Sequence, residues 1–223
     1  MTPRNLSVQD RIIHAVRKSI YSGELKPGDA LLEMHLARQH GVSQTTVREA
    51  LTKMEHAGLV RRMRNQGTFV TELSIEELRE HLRLRVVLEG MAAVEAASRM
   101  NGDDFNELRV RLDRISKAVA KNTYFDAAQA DLEFHRYIWE RSGDKTLCRI
   151  LEQLAAPLFA YISIRRSSGH EDLKRVVREH EPIVEALGSG SPDTIRSAVR
   201  LHIESSYRQF LSAGVEVLQL AIG

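Results

Sequence analysis

Residues 41–51 read GVSQTTVREAL, and this stretch decides the fold of the N-terminal part. Gly41 suits the left-handed end of the helical pattern before it, LEMHLARQH. Ser43 is a favourable N-cap for a helix beginning at Gln44. Val47, Ala50, Leu51 and Met54 recur at the i, i+3, i+4, i+7 spacing of one buried helical stripe. Gln44, Thr45, Arg48 and Thr52 fall off that stripe, so this helix begins with polar side chains better suited to contact than to packing.

Upstream, Ser7 is a cap, and Val8, Ile12, Val16 and Ile20 step at helical spacing. SGELKPGDAL at 22–31 reads as a loop broken by Gly23, Pro27 and Gly28. Downstream of Gly58, Leu59–Met63 and Thr68–Thr71 are strand-like, with Asn65-Gln66-Gly67 as the turn. Helix, helix, tight turn, helix and basic hairpin predict a winged helix-turn-helix over residues 1–73. A recognition helix meets base edges in the major groove with its N-terminal side chains, and its positive end favours phosphate. The candidate DNA-contacting set is Ser43, Gln44, Thr45, Thr46, Arg48, Arg62, Arg64, Gln66 and Gly67, with Arg61 adding wing charge. The same pattern also describes a three-helix core with a solvated polar face, and pattern alone leaves both readings open.

Charge is unevenly divided. Residues 1–73 hold 11 Lys/Arg against 7 Asp/Glu, whereas residues 74–223 hold 21 against 23. The basic excess of the N-terminal third suits a polyanion. The 223 residues leave room for one large or two modest domains. The single cysteine, Cys148, excludes a disulfide within the chain and fits a reducing compartment. No apolar signal-peptide core is present, and no run approaches the roughly 20 apolar residues of a membrane span. The expectation is a soluble cytoplasmic protein with no membrane partner.

Residues 74–223 predict an all-α bundle. Ser74 and Glu77 form a capping-box pattern. Further helices are predicted near 103–121, 123–142, 144–167, 171–188 and 193–212. Asn101-Gly102, Ser142-Gly143, Ser168-Gly169 and GSGSP at 188–192 punctuate them. Three of these helices carry polar residues inside their apolar stripes. Asp131 and His135 lie among Ala128, Leu132, Ile138 and Trp139. His180 lies among Leu173, Val176, Val177, Val184 and Leu187, and His202 among Ile195, Val199, Ile203 and Phe210. Burying such groups is costly unless they are paired or ligate a metal. Three imidazoles and a carboxylate suit a divalent ion such as Zn, Ni, Mn or Fe. The alternative is a set of hydrogen-bonded core histidines. Arg85 and Glu89 continue the stripe of Leu78, Leu82, Ala92 and Ala96, where Arg85 is placed either to grip a carboxylate or to pair with Glu89. Pro182 removes a helical hydrogen bond beside His180. The remaining histidines, at 14, 35, 40, 56, 81 and 170, are expected on the surface or in loops.

These residues resemble the GntR regulators of the FadR type. GVSQTTVREALTKMEHAGLVRRMRNQGTFV is similar to that family's DNA-binding segment. The C-terminal part resembles its all-helical ligand-sensing FCD domain, through DLEFH at 131–135, REHEPIVEAL around His180, RLHIE around His202 and LRLRVVLEG at 82–90. The resemblance implies a homodimeric regulator that binds a short palindromic operator, with repression the commoner outcome. It implies a divalent metal held by Asp131, His135, His180 and His202, and a small organic acid effector, for which Arg85 is the best-placed cationic contact by helical phase. Departures from the family are Gln44 and Met34, where relatives carry Arg, and Thr46, where many carry Pro. Base readout near Gln44 should shift towards adenine. Arg48 is retained. The expectation is no enzymatic activity. The rival readings are a metal-dependent enzyme in a helical bundle, which no HExxH or phosphate loop supports, and a DNA-binding dimer with a purely structural metal.

Overall fold

Ser7 begins the first helix as read, its hydroxyl accepting from the Asp10 amide at 3.1 Å. The computed structural model describes residues 7–121, 123–169 and 174–208. Helix α1 (Val8–Tyr21) buries Ile12, Val16 and Ile20. Helix α2 (Glu33–His40) ends at Gly41, whose φ of 64° is the left-handed closure its sequence suggested. Helix α3 (Gln44–His56) is capped by Ser43 and buries Val47, Ala50, Leu51 and Met54, the stripe expected from their spacing.

The wing is three-stranded. β2 (Val60–Met63) and β3 (Gly67–Val70) form the antiparallel hairpin, with Arg62 opposite Thr68. Asn65 supplies a positive φ of 60° in the turn. The stretch read wholly as loop contains a short strand, β1 (Ala30–Leu31), paired antiparallel with the other edge of β3. Two residues are too few to show alternation, so this strand leaves no periodic signal.

The C-terminal helices are α4 (Ile75–Ala97), α5 (Gly102–Ala120), α6 (Tyr124–Arg141), α7 (Lys145–Gly169), α8 (Lys174–Ser189) and α9 (Pro192–Tyr207). Ser74 and Glu77 form the expected capping box, and Asn101 with Asp104 forms a second. Helix α7 ends at Gly169, within the Ser168-Gly169 signal and two residues past the end expected at 167. Leu173, His170 and Phe210, named above from their sequence pattern, lie outside the described residues. The fold is thus mainly α, a winged helix-turn-helix joined to a helical bundle. Central α4 packs against α6, α7, α8 and α9. In α7, Lys145–Arg166 has the length and mean hydropathy of a membrane span, but 56% of its most apolar window is buried. It is apolar because it serves as a core helix for both parts of the molecule.

The core of the winged helix does not stop at the linker. Ile12, Ile20, Tyr21, Leu51 and Leu59 share one apolar cluster with Ala128 and Leu132 of α6 and Leu151, Ala155 and Phe159 of α7. A second cluster, from Leu78 through Phe134 to Ile203, fills the bundle itself. At Gly58 the two parts meet at backbone level. Its φ is 74°, and a Cβ there would lie 2.6 Å from the Gln153 carbonyl oxygen of α7. Only glycine meets both demands.

Candidate metal centre and DNA-facing surface

Helix α6 places Asp131 and His135 one turn apart, α8 supplies His180, and α9 supplies His202. The structure brings these four residues together, with one potential ligand atom of each within 4.8 Å of all the others. All four are buried, His135 and His180 completely. Asp131 Oδ1 lies 2.9 Å from His180 Nε2 and 3.3 Å from His135 Nε2. His135 Nε2 lies 3.1 Å from His202 Nε2.

What stands behind each imidazole settles which nitrogen faces inward. His180 Nδ1 donates to the Val176 carbonyl at 2.7 Å, and His202 Nδ1 donates to the Glu179 carbonyl at 3.0 Å. His135 Nδ1 donates to Glu89 Oε1. With every Nδ1–H committed to an acceptor, each imidazole in its neutral form presents its Nε2 lone pair to the shared space. Two imidazole lone pairs facing each other at 3.1 Å repel unless a proton or a cation lies between them. Donor separations near 3 Å match cis positions around an ion with bonds of about 2.0–2.1 Å. The residues present therefore fit a divalent metal, in both donor type and orientation.

At Asp131 and His202 the electrostatics agree. Burial works against the Asp131 carboxylate, but His180 and His135 outweigh it and hold its pKa well below the usual range. Burial pushes the His202 pKa well down, and His180 and His135 push it further, so this imidazole is neutral and free to ligate. Burial opposes protonation of His135, but the Glu89 carboxylate and Asp131 outweigh it and raise its pKa. Glu89 is itself kept ionised by Arg85 and His135 despite its burial.

Of the two roles weighed for Arg85, its contacts among the described residues show the pairing with Glu89. Its Nε donates to Glu89 Oε2 at 2.8 Å, the pairing alternative. Its Nη2 is buried without a hydrogen-bond partner among the described residues, and the guanidinium stacks over Phe159 at 4.8 Å. Sequence reasoning named Glu89 only as a partner for Arg85 and missed that it also carries His135. The signal was present, because Glu89 sits in the same apolar stripe. Of the other histidines among the described residues, none is buried. Pro182 lies inside α8, two residues beyond His180.

The candidate DNA-contacting residues lie on the winged helix. Ser43, Gln44 and Thr45 are exposed at the start of α3, and Thr46 is half-buried against the Ser43 hydroxyl at 2.9 Å. Arg48 is exposed but held by Glu33 of α2, through Nε–Oε1 at 3.2 Å and Nη2–Oε2 at 2.8 Å. Arg62 of β2 reaches back to Thr52 of α3 at 3.2 Å, so the wing and the outer face of α3 are contiguous. Arg64, Gln66 and Gly67 are exposed at the hairpin tip.

Comparison with known proteins agrees with this fold. Residues 8–70 match the gntR family of bacterial regulatory proteins, and residues 80–205 match the FCD domain. The HTH-type transcriptional regulator McbR of Escherichia coli K12 is 30% identical over 151 residues, 68% of each chain. A probable D-xylose utilization operon transcriptional repressor of Paenarthrobacter nicotinovorans is 27% identical over 88% of this chain and 86% of its own. The Escherichia coli McbR/YncC structure superposes with a TM-score of 0.78 at 24% identity, covering 92% of this chain and 99% of that one. A GntR regulator structure from Rhodococcus sp. RHA1 gives 0.72 at 22% identity, covering 92% and 98%.

Proposed function

The chain belongs to the gntR family of bacterial regulatory proteins, with an FCD domain as its second part, and from that membership we propose that it is a metal-loaded, acid-responsive repressor. As a family member it is a DNA-binding transcription regulator and not an enzyme. Residues 1–73 are assigned to operator contact. Residues 74–223 are assigned to sensing and dimerisation, in the cytoplasm.

The observation that carries the metal reading is the fixed orientation of three imidazoles, each with Nδ1 tied to its own acceptor, which leaves Nε2 for the space shared with Asp131. Asp131, His135, His180 and His202 would hold the ion, which would supply open positions for a hard oxygen donor. With neutral histidines, Arg85, Glu89 and Asp131 sum to one negative charge; a divalent ion reverses that sign, and a carboxylate offsets it. The unpartnered Nη2 of Arg85 favours an effector over a purely structural metal. The effector class is a small mono- or dicarboxylate, including sugar acids, with Arg85 as its cationic contact.

A homodimer is supported by an apolar stripe left exposed on α4. Leu84, Val87 and Met91 lie uncovered there, with Leu201 exposed on neighbouring α9. Two such subunits would present two α3 helices to a palindromic site, with Gln44, Thr45 and Arg48 at base edges and Arg62 and Arg64 on phosphates.

The test is elemental analysis of protein purified without chelator, then calorimetry with organic acids. One divalent ion per chain, and acid binding that is lost after chelation, are expected. Arg85→Lys is the informative variant, because Arg85→Ala would strand the buried Glu89 charge and cost about 3–5 kcal/mol of stability. Arg85→Lys keeps a positive charge but loses the fork, and acid affinity should fall by about tenfold or more. Metal-free parent protein, or acid binding that survives chelation, defeats the reading.

A further inference from the structure

Tyr21 is the last residue of α1, within the segment assigned to DNA contact, yet it points into the sensing bundle. It is completely buried and meets the Phe125 ring of α6 edge-on at 6.0 Å. Its carbonyl accepts Ser163 Oγ of α7 at 2.9 Å. Both anchors lead to the histidine site. On α6, beyond Phe125, Ala128 and Leu132 belong to the shared apolar cluster and are interleaved with Asp131 and His135. On α7, Ser163 stands one turn from Phe159, whose ring lies 5.9 Å from that of His135 and 4.8 Å from the Arg85 guanidinium.

Several polar atoms in this region are buried without a hydrogen-bond partner among the described residues. They include the hydroxyls of Tyr21 and Tyr207, Arg85 Nη2 and Trp139 Nε1. A buried donor left unpaired is costly, and the great majority in native proteins are paired. Tyr207 ends α9, the helix that carries His202. Burial lifts the Tyr21 hydroxyl pKa to about 12, with Arg17, Arg136 and Asp131 acting on it more weakly. Burial likewise lifts that of Tyr207, and Arg85, Arg166, Asp131 and Tyr21 all act on it. Both hydroxyls are thus protonated donors, and both feel the Asp131 carboxylate. Tyr21, Tyr207 and Arg85 belong to three different helices, and each buries a donor without a partner among the described residues, which a bound anion would satisfy.

We infer that Tyr21 is a ligand-contacting residue supplied by the DNA-binding domain, its hydroxyl donating, with Tyr207 and Arg85, to the bound carboxylate. This rests on the effector reading above and gives it a mechanism. An acid held by the metal ligands of α6, α8 and α9 would also hold the end of α1. Ligand occupancy is then felt directly in the helix that packs against recognition helix α3. Coupling needs no relay through the linker, because the two parts share the ligand.

The experiment uses the metal-loaded full chain with acetate, succinate, citrate and D-gluconate as probes. Calorimetry gives affinity, and hydrogen exchange tracks peptides from residues 8–21. In the parent, a bound probe is expected to slow exchange in α1. Tyr21→Phe should bind that probe about tenfold or more weakly, in keeping with loss of a hydrogen bond to a charged group, and should lose the α1 protection even at saturation. Tyr207→Phe should lose comparable affinity but keep the protection, since Tyr207 is outside the winged helix. Without probe, Tyr21→Phe should unfold at the same temperature as the parent or higher, because its hydroxyl has no partner among the described residues to lose. Parent-like probe affinity in Tyr21→Phe, or α1 protection that persists in it, overturns the inference while leaving the carboxylate reading intact. A probe-free Tyr21→Phe protein that is clearly less stable shows that the hydroxyl serves the fold, and overturns it too. A parent that binds none of the probes removes the carboxylate reading, and with it the partner assigned to Tyr21.

Discussion

The start of α3 and the quartet of α6, α8 and α9 are both clusters of polar side chains on helices, and they differ in what polarity costs. Gln44, Thr45 and Arg48 stand in water, where a polar group needs no reason. Arg48 has a partner, but the pair with Glu33 is exposed and exchangeable. Asp131, His135, His180 and His202 are buried, where each polar atom must be satisfied. There the partners are fixed, down to the carbonyl behind each Nδ1 of His180 and His202. Burial therefore turns composition into evidence of use, whereas exposure leaves use to be decided by a partner.

The largest effect should come from removing what satisfies the buried cluster. An ion present at about a thousandfold over its dissociation constant stabilises the fold by about 4 kcal/mol. For a chain of this size, chelation should then lower Tm on the order of 10 °C. His180→Ala and His202→Ala should abolish the metal dependence as well as lower the Tm. Differential scanning calorimetry with and without chelator measures both. A metal-indifferent melt, with both variants stable, would return these residues to ordinary core histidines and erase the contrast with α3.

The next effect tests where the two regions are joined. Gly58 and Gly41 both hold left-handed φ values, 74° and 64°, but only Gly58 lies against α7. Gly41→Ala should cost about 1 kcal/mol of backbone strain alone. Gly58→Ala adds a collision with the Gln153 carbonyl, for a total of about 2–4 kcal/mol. Chemical unfolding of the two variants isolates the docking contribution as their difference. Equal losses would mean that the winged helix gives way at little cost.

Sequence alone carried the contrast only partly. Helices with long stripes, such as α3 around Val47–Met54, were readable because periodicity is local. The four quartet residues were readable because polar residues interrupted such stripes. Strand β1 was not, since two residues carry no period. The acceptors that orient His180 and His202 are backbone carbonyls of Val176 and Glu179, which no side-chain pattern marks. Tyr21 comes after Ile20 at the end of an amphipathic helix and looks like ordinary core. Its unpartnered hydroxyl and its place between α6 and α7 exist only in three dimensions.

A smaller effect, of about 1–3 kcal/mol, is expected in DNA affinity for Arg48→Ala if the side chain reads a base. The probe is a duplex selected from a random pool by the parent. Parent-like binding by a folded Arg48→Ala protein would leave Arg48 as a clamp between α2 and α3. The loss should also come with a steep salt dependence in the parent, since phosphate contacts release counterions.

The smallest effect sharpens the comparison most, because it removes the partner of the exposed cation rather than the cation. Glu33→Ala frees the Arg48 guanidinium from both of its hydrogen bonds. The pair is exposed and screened, so folding stability should change by no more than about 1 kcal/mol. A nearby negative charge that would face phosphate is lost as well, so duplex affinity should rise slightly, on the order of twofold to fivefold, and more at low salt than at high. The buried counterpart behaves oppositely: taking Glu89 from behind His135 and Arg85 would strand a cation and a ring nitrogen and destabilise the bundle. Fluorescence anisotropy with the selected duplex at two salt concentrations, beside a melting curve, reads both quantities for Glu33→Ala. A fall in affinity would show that Glu33 orients Arg48 for the groove, and the exposed pair would then resemble the buried one, held in place for a purpose.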